Sequence, residues 1–280
     1  MSCVEKAYAK INLTLAVGEK RLDGYHEVVS VMQRVSLHDT LTAEQTREGI
    51  TLTCSDPALP SGEENLAHRA ASLFFRETGI AGGAALTLEK RIPSQAGLGG
   101  GSSDAASALL ALRKLYAPAL PDTELETMAA ALGSDVPFFI RGGTQLATGR
   151  GEVLSPLPPL TDGWFVIVKP TESFSTPAMY RRLDELPPQS PQSDGMTAAL
   201  GAGELRAVAA ALCNSFERVV PPDSAVWVIR EALRAQGALA AMLSGSGSAV
   251  FGLFDTETAA RAAVEALRPA WPEIFLARPV

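Results

Sequence analysis

The 280-residue chain has few of the features that mark several large protein classes. Its three cysteines, Cys3, Cys54 and Cys213, are odd in number and widely scattered. They build neither a disulfide framework nor a metal-binding spacing, so they read as small buried or incidental thiols in a reducing compartment. No apolar run approaches the ~20 residues of a membrane-spanning helix. The opening M-S-C-V-E-K-A-Y has no apolar export core, and a cytoplasmic protein is expected. There is no dense acidic cluster to hold a metal, and no metal site is expected. Nor is there a basic field: a net charge of −7 and a pI near 5.1 argue against a nucleic-acid surface. Internal repeats and low-complexity tracts are absent. What remains, at 46% hydrophobic and 20% charged residues, is a globular chain able to form one large domain or two modest ones.

Against that background one stretch stands out, P-S-Q-A-G-L-G-G-G-S-S-D-A-A at 93–106. Gly97, Gly99, Gly100 and Gly101 fall within five positions. Before them Ala84, Leu86, Leu88 and Lys90 alternate as in a strand. After them Ala106, Leu109, Leu110 and Leu112 follow helical spacing, and Ser102 or Ser103 is placed to cap the helix start. Glycine lets a backbone turn its N–H groups inward, and a helix start adds unpaired N–H donors and a positive dipole end. Strand, glycine loop and helix together predict an anion site of the kind that binds phosphate. Two common nucleotide loops are excluded. No Lys follows the last glycine as in a Walker loop, and G-L-G-G-G does not fit dinucleotide spacing.

Elsewhere the pattern predicts strands at 4–17, 28–35, 41–43, 50–54 and 84–91. A turn falls at Asp23-Gly24. A helix runs from Asn65, its cap, to Gly79, its stop. Asp122 is expected to cap a helix with Leu125, Met128, Ala129 and Leu132 inward. Short runs follow at 138–140 and 144–148, and the proline-rich 154–160 reads as a crossing between halves, dividing 1–153 from 154–280. The second half reads as a strand at 164–168, a surface loop at 187–194, helices at 205–216 and 225–235, strands at 238–243 and 249–254, a helix at 258–267 and a last strand at 274–277. The mixture is α+β, and the second half suits a ferredoxin-like layer.

The glycine stretch resembles the nucleotide loop of the GHMP kinase superfamily, whose members include galactokinase, homoserine kinase and mevalonate kinase. In this form it is most similar to the branch that phosphorylates a cytidine-diphosphate-linked sugar alcohol on its 2-hydroxyl in non-mevalonate isoprenoid synthesis. The resemblance runs in consistent order from Ala9 to Phe254. It implies a two-domain fold, with the active site in a cleft between an N-terminal nucleotide-loop domain and a ferredoxin-like C-terminal domain. It also implies ATP as donor, with Mg²⁺ carried on the ATP. The expected partners are small molecules only, ATP and the cytidine diphospho-acceptor, with no nucleic acid and no membrane, and the expected state is a monomer or weak homodimer. Pro93, Ser94, Gln95, Ala96, Gly97, Leu98, Gly99, Gly100, Gly101, Ser102 and Ser103 would hold ATP.

The same resemblance gives roles to other residues, each with a plainer alternative. A-K-I-N-L at 9–13 matches the family's opening motif, making Lys10 catalytic and Asn12 an acceptor ligand. Without the family, both read as a solvated strand face. Asp135 in G-S-D-V-P-F-F matches the catalytic base, or else is a turn carboxylate. D-G-Y-H at 23–26 makes Tyr25 and His26 cytosine contacts, or else a hairpin turn. Tyr180, in T-P-A-M-Y, would cover the second face of that base. Gly245, Ser246 and Gly247 match a third family motif near the phosphates and acceptor, or else a tight turn. Asn214 and Glu217 match a family N-x-x-E to which no chemistry is assigned. Gln95 departs from the small residue of many relatives and, pointing inward, would narrow an adenosine pocket. Another GHMP kinase with a homoserine or mevalonate-type acceptor, or a silent nucleotide-binding module, stays open as an alternative.

Overall fold

Alternating apolar side chains at Ile11, Leu13, Leu15 and Val17 do make a strand, longer than the alternation marks. In the computed structural model, which describes residues 1–187 and 193–280, β1 spans Ser2–Lys20 and β2 spans His26–Thr46. There follow β3 (Gly49–Cys54), α1 (Leu66–Thr78), β4 (Gly83–Glu89), α2 (Gly100–Tyr116), α3 (Asp122–Leu132), α4 (Val136–Arg141), β5 (Thr144–Thr148) and β6 (Val153–Pro156). Then come β7 (Trp164–Val168), α5 (Thr176–Leu183), α6 (Asp194–Ala202), α7 (Leu205–Ala210), β8 (Cys213–Asn214) and a 3₁₀ turn at Ser215–Val219. The chain ends with α8 (Ala225–Ala235), β9 (Ala240–Leu243), β10 (Val250–Phe254), α9 (Glu257–Leu267) and β11 (Ile274–Ala277). Among the described residues no helix is long and apolar enough to cross a membrane. The expected loop at 187–194 falls largely on 188–192, outside the described residues.

The fold separates into two compact units that interleave along the chain. The first comprises Met1–Ala9, His38–Ile92 and Gly99–Gly142. The second comprises Lys10–Leu37, Pro93–Leu98 and Gly143–Val280. In the first unit β4 pairs antiparallel with the Thr40–Thr46 end of β2 and parallel with β3. Helices α1 to α4 pack beside them. Asn65 caps α1 by accepting the Ala67 N–H at 2.9 Å, and Gly79 closes it in the left-handed conformation.

In the second unit β7, β9, β10 and β11 form an antiparallel sheet in the order β11-β7-β10-β9. With α8 and α9 in the crossovers this is the β-α-β-β-α-β order of a ferredoxin-like layer, as expected. Its core gathers Val166, Phe216, Ile229, Leu233, Val250 and Phe254. The same unit holds a parallel bridge from Thr14 and Leu15 to β8, and an antiparallel ladder from β5 to residues 30–33 of β2.

Several expectations are corrected. The strands predicted at 28–35 and 41–43 are one strand, β2, which runs on through residues 36–40, where Asp39 is 0% exposed and its neighbours are half-buried. Residues 154–160 do not merely cross over, since β6 pairs with β5. The run 138–140 lies in a helix, α4, where Pro137 sits in the first turn and costs no hydrogen bond. The helix predicted at 205–216 stops at Ala210, because Asn214 is recruited elsewhere. Asp122 is the first residue of α3, not its cap. Ser102 and Ser103 lie inside α2, which Gly99 begins in the left-handed conformation with no side-chain cap. The three cysteines are free, and none is buried.

What anchors the start of α2 is ionic. Lys90, at the end of β4, bonds both Asp39 and Asp104, the latter at 2.7 Å. Asp39 also accepts the backbone N–H groups of Arg91 and Ile92. All three side chains are nearly sealed, at 7%, 0% and 4% exposure for Lys90, Asp39 and Asp104. Burial pushes the Asp104 carboxyl up to about 7; Lys90 pulls it down and Asp39 adds to the rise. For Lys90 desolvation works against the charge, but the two carboxylates outweigh it and raise its pKa. Removing the cation would strand two buried carboxylates. Lys90→Met is therefore expected to cost about 3–5 kcal/mol in denaturant unfolding. Asp104 has a folded pKa above its unfolded value of 3.8, so its contribution is fully present below pH 3.8 and is lost as pH rises through about 7. Wild type should accordingly lose stability relative to Asp104→Asn between pH 4 and 7. A pH-independent difference in melting temperature between the two would contradict this.

Candidate functional site

Three consecutive carbonyls hold the first limb of the glycine loop. The Ala96 carbonyl accepts the Ala249 N–H at 3.1 Å, Gly97 accepts the Ser244 hydroxyl at 3.0 Å, and Leu98 accepts the Lys10 N–H at 2.9 Å. In a trans peptide the N–H points opposite to the C=O. Fixing these carbonyls on one side therefore turns the N–H groups of Gly97 and Leu98 to the other. Gly97 has a φ of +73°, and a Cβ there would lie 2.0 Å from the Ser244 carbonyl oxygen. Only glycine fits. Gln95 also has a positive φ, 52°, and its side chain is exposed rather than directed inward.

The second limb begins α2. The first intrahelical bond runs from the Ser103 N–H to the Gly99 carbonyl at 2.9 Å. The N–H groups of Gly100, Gly101 and Ser102 precede it and have no partner within the helix. Three open donors at the positive end of a 17-residue helix make an anion site.

The polar row of β1 is not a solvated face. Lys10, Asn12 and Thr14 are 5%, 3% and 1% exposed. The Lys10 ammonium donates to Asn12 Oδ1 at 2.7 Å, and the Asn12 amide donates to the Ser30 hydroxyl at 2.8 Å. Ser30 donates in turn to the Thr14 carbonyl at 2.6 Å. This chain orients the lysine and fixes which way the Asn12 amide faces.

Asp135 stands in the position that precedes α4, yet its carboxylate does not cap that helix. The residue is half-buried in the first unit.

The third glycine motif packs backbone to backbone against the first limb. A Cβ on Gly245 would meet the Gly97 carbonyl oxygen at 3.0 Å. Asn214 braces this turn by donating to the carbonyls of Leu243 and Gly245 at 2.9 and 2.8 Å, while its Oδ1 accepts the Phe216 N–H. Glu217 accepts the Leu243 N–H at 3.1 Å and pairs with Arg230. These bonds give N-x-x-E its physical reason, and they end the predicted helix early. Ser246 shares a 2.7 Å hydrogen bond with Thr176, at the start of α5.

The remaining group surrounds His26. Its ring stacks on Tyr180, with centroids 4.9 Å apart and planes 21° apart, and Tyr180 meets Phe216 edge-on. His26 Nε2 lies 2.5 Å from Asp184 Oδ1, and Lys20 donates to Asp184 Oδ2 at 3.2 Å. The hydrogen bond to His26, and after it Lys20, hold the Asp184 carboxyl below its usual range against a small desolvation. Tyr25 is apart from this stack. It is 54% exposed, on the Asp23-Gly24 turn, with the Arg150 guanidinium 4.9 Å from its ring centroid. A cavity of about 300 Å³ opens beside the cluster, lined by Val17, Lys20, His26, Asp184, Pro187 and Arg218.

Within the second unit, then, the structure brings Lys10 and Asn12 together, Gly97 with Ser244 to Gly247, and His26 with Tyr180. Sequence reasoning missed Asp39, Lys90, Asp104 and Asp184. Charged residues at the two edges of the glycine stretch, Lys90 and Asp104, were the visible signal for the first three. Asp184 carried none. Among the described residues no group of three or more His, Cys, Asp or Glu side chains could hold a metal ion.

Comparison with known proteins agrees along the whole chain. Residues 65–143 match the family described as GHMP kinases N terminal domain, and 196–273 match GHMP kinases C terminal. The chain is 44% identical over 276 residues to the 4-diphosphocytidyl-2-C-methyl-D-erythritol kinase of Symbiobacterium thermophilum, covering 98% of each protein. It is 44% identical to the enzyme of the same name from Moorella thermoacetica, covering 97% of each. A solved structure of 4-(cytidine 5'-diphospho)-2C-methyl-D-erythritol kinase superposes with a TM-score of 0.83 at 40% identity, over 98% of both chains. A homoserine kinase from Cytophaga hutchinsonii shares the fold at 18% identity, with a TM-score of 0.78.

The Gly97 contact yields a direct test. Gly97→Ala combines a left-handed conformation costing about 1–2 kcal/mol with a backbone overlap that cannot relax locally. Melting temperature should fall by several degrees, and the ATP KM should rise at least about tenfold. Unchanged values for both would show that the two glycine turns do not depend on this approach.

Proposed function

The chain belongs to the GHMP kinases, and within them to the 4-diphosphocytidyl-2-C-methyl-D-erythritol kinases, and from that membership we infer how its residues divide the work. The reaction moves the γ-phosphoryl group of ATP to the 2-hydroxyl of 4-diphosphocytidyl-2-C-methyl-D-erythritol. The bond between the γ-phosphorus and the β,γ-bridging oxygen breaks, a bond from that phosphorus to the acceptor oxygen forms, and ADP leaves. The observation that carries this reading is the glycine loop, whose anchored carbonyls and uncapped helix start leave N–H donors where a triphosphate needs them.

In this reading the backbone from Pro93 to Ser103 holds ATP, and Gly245, Ser246 and Gly247 border the phosphates and the acceptor. Lys10 stabilises the negative charge that grows as the hydroxyl attacks, and Asn12 hydrogen-bonds the acceptor. Support comes from the bond between their side chains, which positions the ammonium. Asp135 orients the hydroxyl early and takes its proton late. An alcohol is too weak an acid to give up that proton first, and a loose transition state does not require it. Mg²⁺, brought in on ATP, would offset the charge of the transferring phosphates. Tyr25, His26 and Tyr180 receive the cytosine. A silent nucleotide-binding module would need neither Lys10 nor Asp135.

The test is phosphoryl transfer from labelled ATP to the cytidine diphospho-acceptor, with wild type and Asp135→Asn in parallel. Loss of a general base predicts a kcat lower by about 10²–10⁴-fold with the ATP Kd nearly unchanged. No transfer by folded, ATP-binding wild type would defeat the acceptor assignment. A variant that loses ATP binding would make Asp135 structural.

A further inference from the structure

We infer that Asp184 is a positioning residue that sets the hydrogen-bonding polarity of His26, so that the acceptor site selects a base presenting an amino group over one presenting a carbonyl. The inference rests on the proposed function, which puts the cytosine beside His26. It goes further in naming what makes that histidine read cytosine and refuse uracil.

The geometry carries it. Asp184 offers one oxygen to His26 Nε2 and the other to the Lys20 ammonium. A carboxylate held ionised by two donors can only accept. The ring nitrogen facing it at 2.5 Å must therefore bear a proton. In the neutral ring that leaves Nδ1 with a lone pair, an acceptor. The Asp184 carboxyl, held below its usual range chiefly by the hydrogen bond to His26, agrees with this assignment. His26 has little freedom to escape it, since the ring is 9% exposed and lies flat against Tyr180.

An acceptor at Nδ1 suits the 4-amino group of cytosine, which donates. It opposes the 4-oxo group of uracil, which also only accepts. A site that meets one lone pair with another leaves both unpaired, a stronger penalty than a missing contact. Aromatic stacking cannot make this distinction, because every base has a π-face. Asp184 lies 158 residues from His26 in the chain and is 31% exposed, so it reads from sequence as an ordinary surface acid after a helix.

The test compares binding of CDP and UDP by calorimetry, with the ATP site filled by a non-hydrolysable analogue. Wild type, Asp184→Asn and Asp184→Glu are measured together. An amide at position 184 can donate to Nε2 as well as accept from it, so both ring tautomers become accessible. The preference of wild type for CDP should fall at least about tenfold in Asp184→Asn and be largely kept in Asp184→Glu, with the affinity for the ATP analogue unchanged. A merely structural role would lower the melting temperature without moving the ratio. Independently, ¹⁵N spectra of imidazole-labelled wild type should show His26 protonated on Nε2 alone, with the signal assigned through His38→Gln and His68→Gln. Wild type that binds CDP and UDP equally, a ratio unchanged in Asp184→Asn, or a proton on Nδ1 would each overturn the inference. Wild type that discriminates between the bases yet transfers no phosphoryl group would sink the proposed function and leave this inference standing.

Discussion

Two glycine turns pressed backbone to backbone are the constraint on which the rest of this site depends. Gly97 and the turn from Ser244 to Gly247 approach backbone to backbone, with the Ser244 hydroxyl bonded across the contact, and a Cβ at Gly97 would sit 2.0 Å from a carbonyl oxygen. Such an approach has to be stabilised by hydrogen bonds, because a contact of bare backbone buries little apolar area. The bonds come from both sides. Ser244 and Ala249 donate to the loop, while Asn214 and Glu217 hold the turn from behind. The second unit's antiparallel sheet supplies the rigid base, since β9 and β10 enter and leave that turn. Rigidity is what a phosphate-binding loop needs, because donors that must reorganise on binding lose part of their advantage.

The first unit solves a different problem with different chemistry. Its helix α2 carries the other glycines, and no side chain caps its N-terminus. Lys90 ties that helix to β2 and β4 by bridging Asp39 and Asp104. A buried ionic cluster of this kind is weak evidence for net stability, since hydrophobic groups of the same volume would serve as well or better. Its value is direction. Apolar packing would let α2 slide by a fraction of a turn, whereas an ammonium between two carboxylates has one arrangement.

How far the chain could be read without coordinates depended on whether a residue's task was local. The glycine loop was legible because backbone conformation is a local property and glycine advertises it. The ferredoxin-like order of the second half was legible from hydrophobic period alone, since each strand is short and flanked by turns. Asn214 was not. Helical spacing from Leu205 to Phe216 is genuine, and only the demand of two carbonyls at Leu243 and Gly245, some thirty residues later, breaks it. Asp39 was not legible either. It lies between the two predicted strands, and its partner Lys90 is 51 residues on. Ser102 and Ser103 looked like caps because serine usually caps, but glycine at position 99 already sets the left-handed start.

The same distinction explains how an acidic chain can handle two phosphate-rich substrates. At a net charge of −7 the protein's overall field repels ATP and a cytidine diphosphate alike. A basic surface would remedy this at long range but would also attract every other polyanion. Backbone N–H groups act only within hydrogen-bonding distance, so they add affinity for a phosphate that has already reached the loop and none for one that has not. Under the proposed assignment, selection among phosphate-bearing molecules would then pass to neutral contacts: stacking on Tyr180, and the lone pair that Asp184 leaves on His26. Under the same assignment the growing charge would be met by Lys10, a buried lysine whose ammonium Asn12 holds at a fixed point.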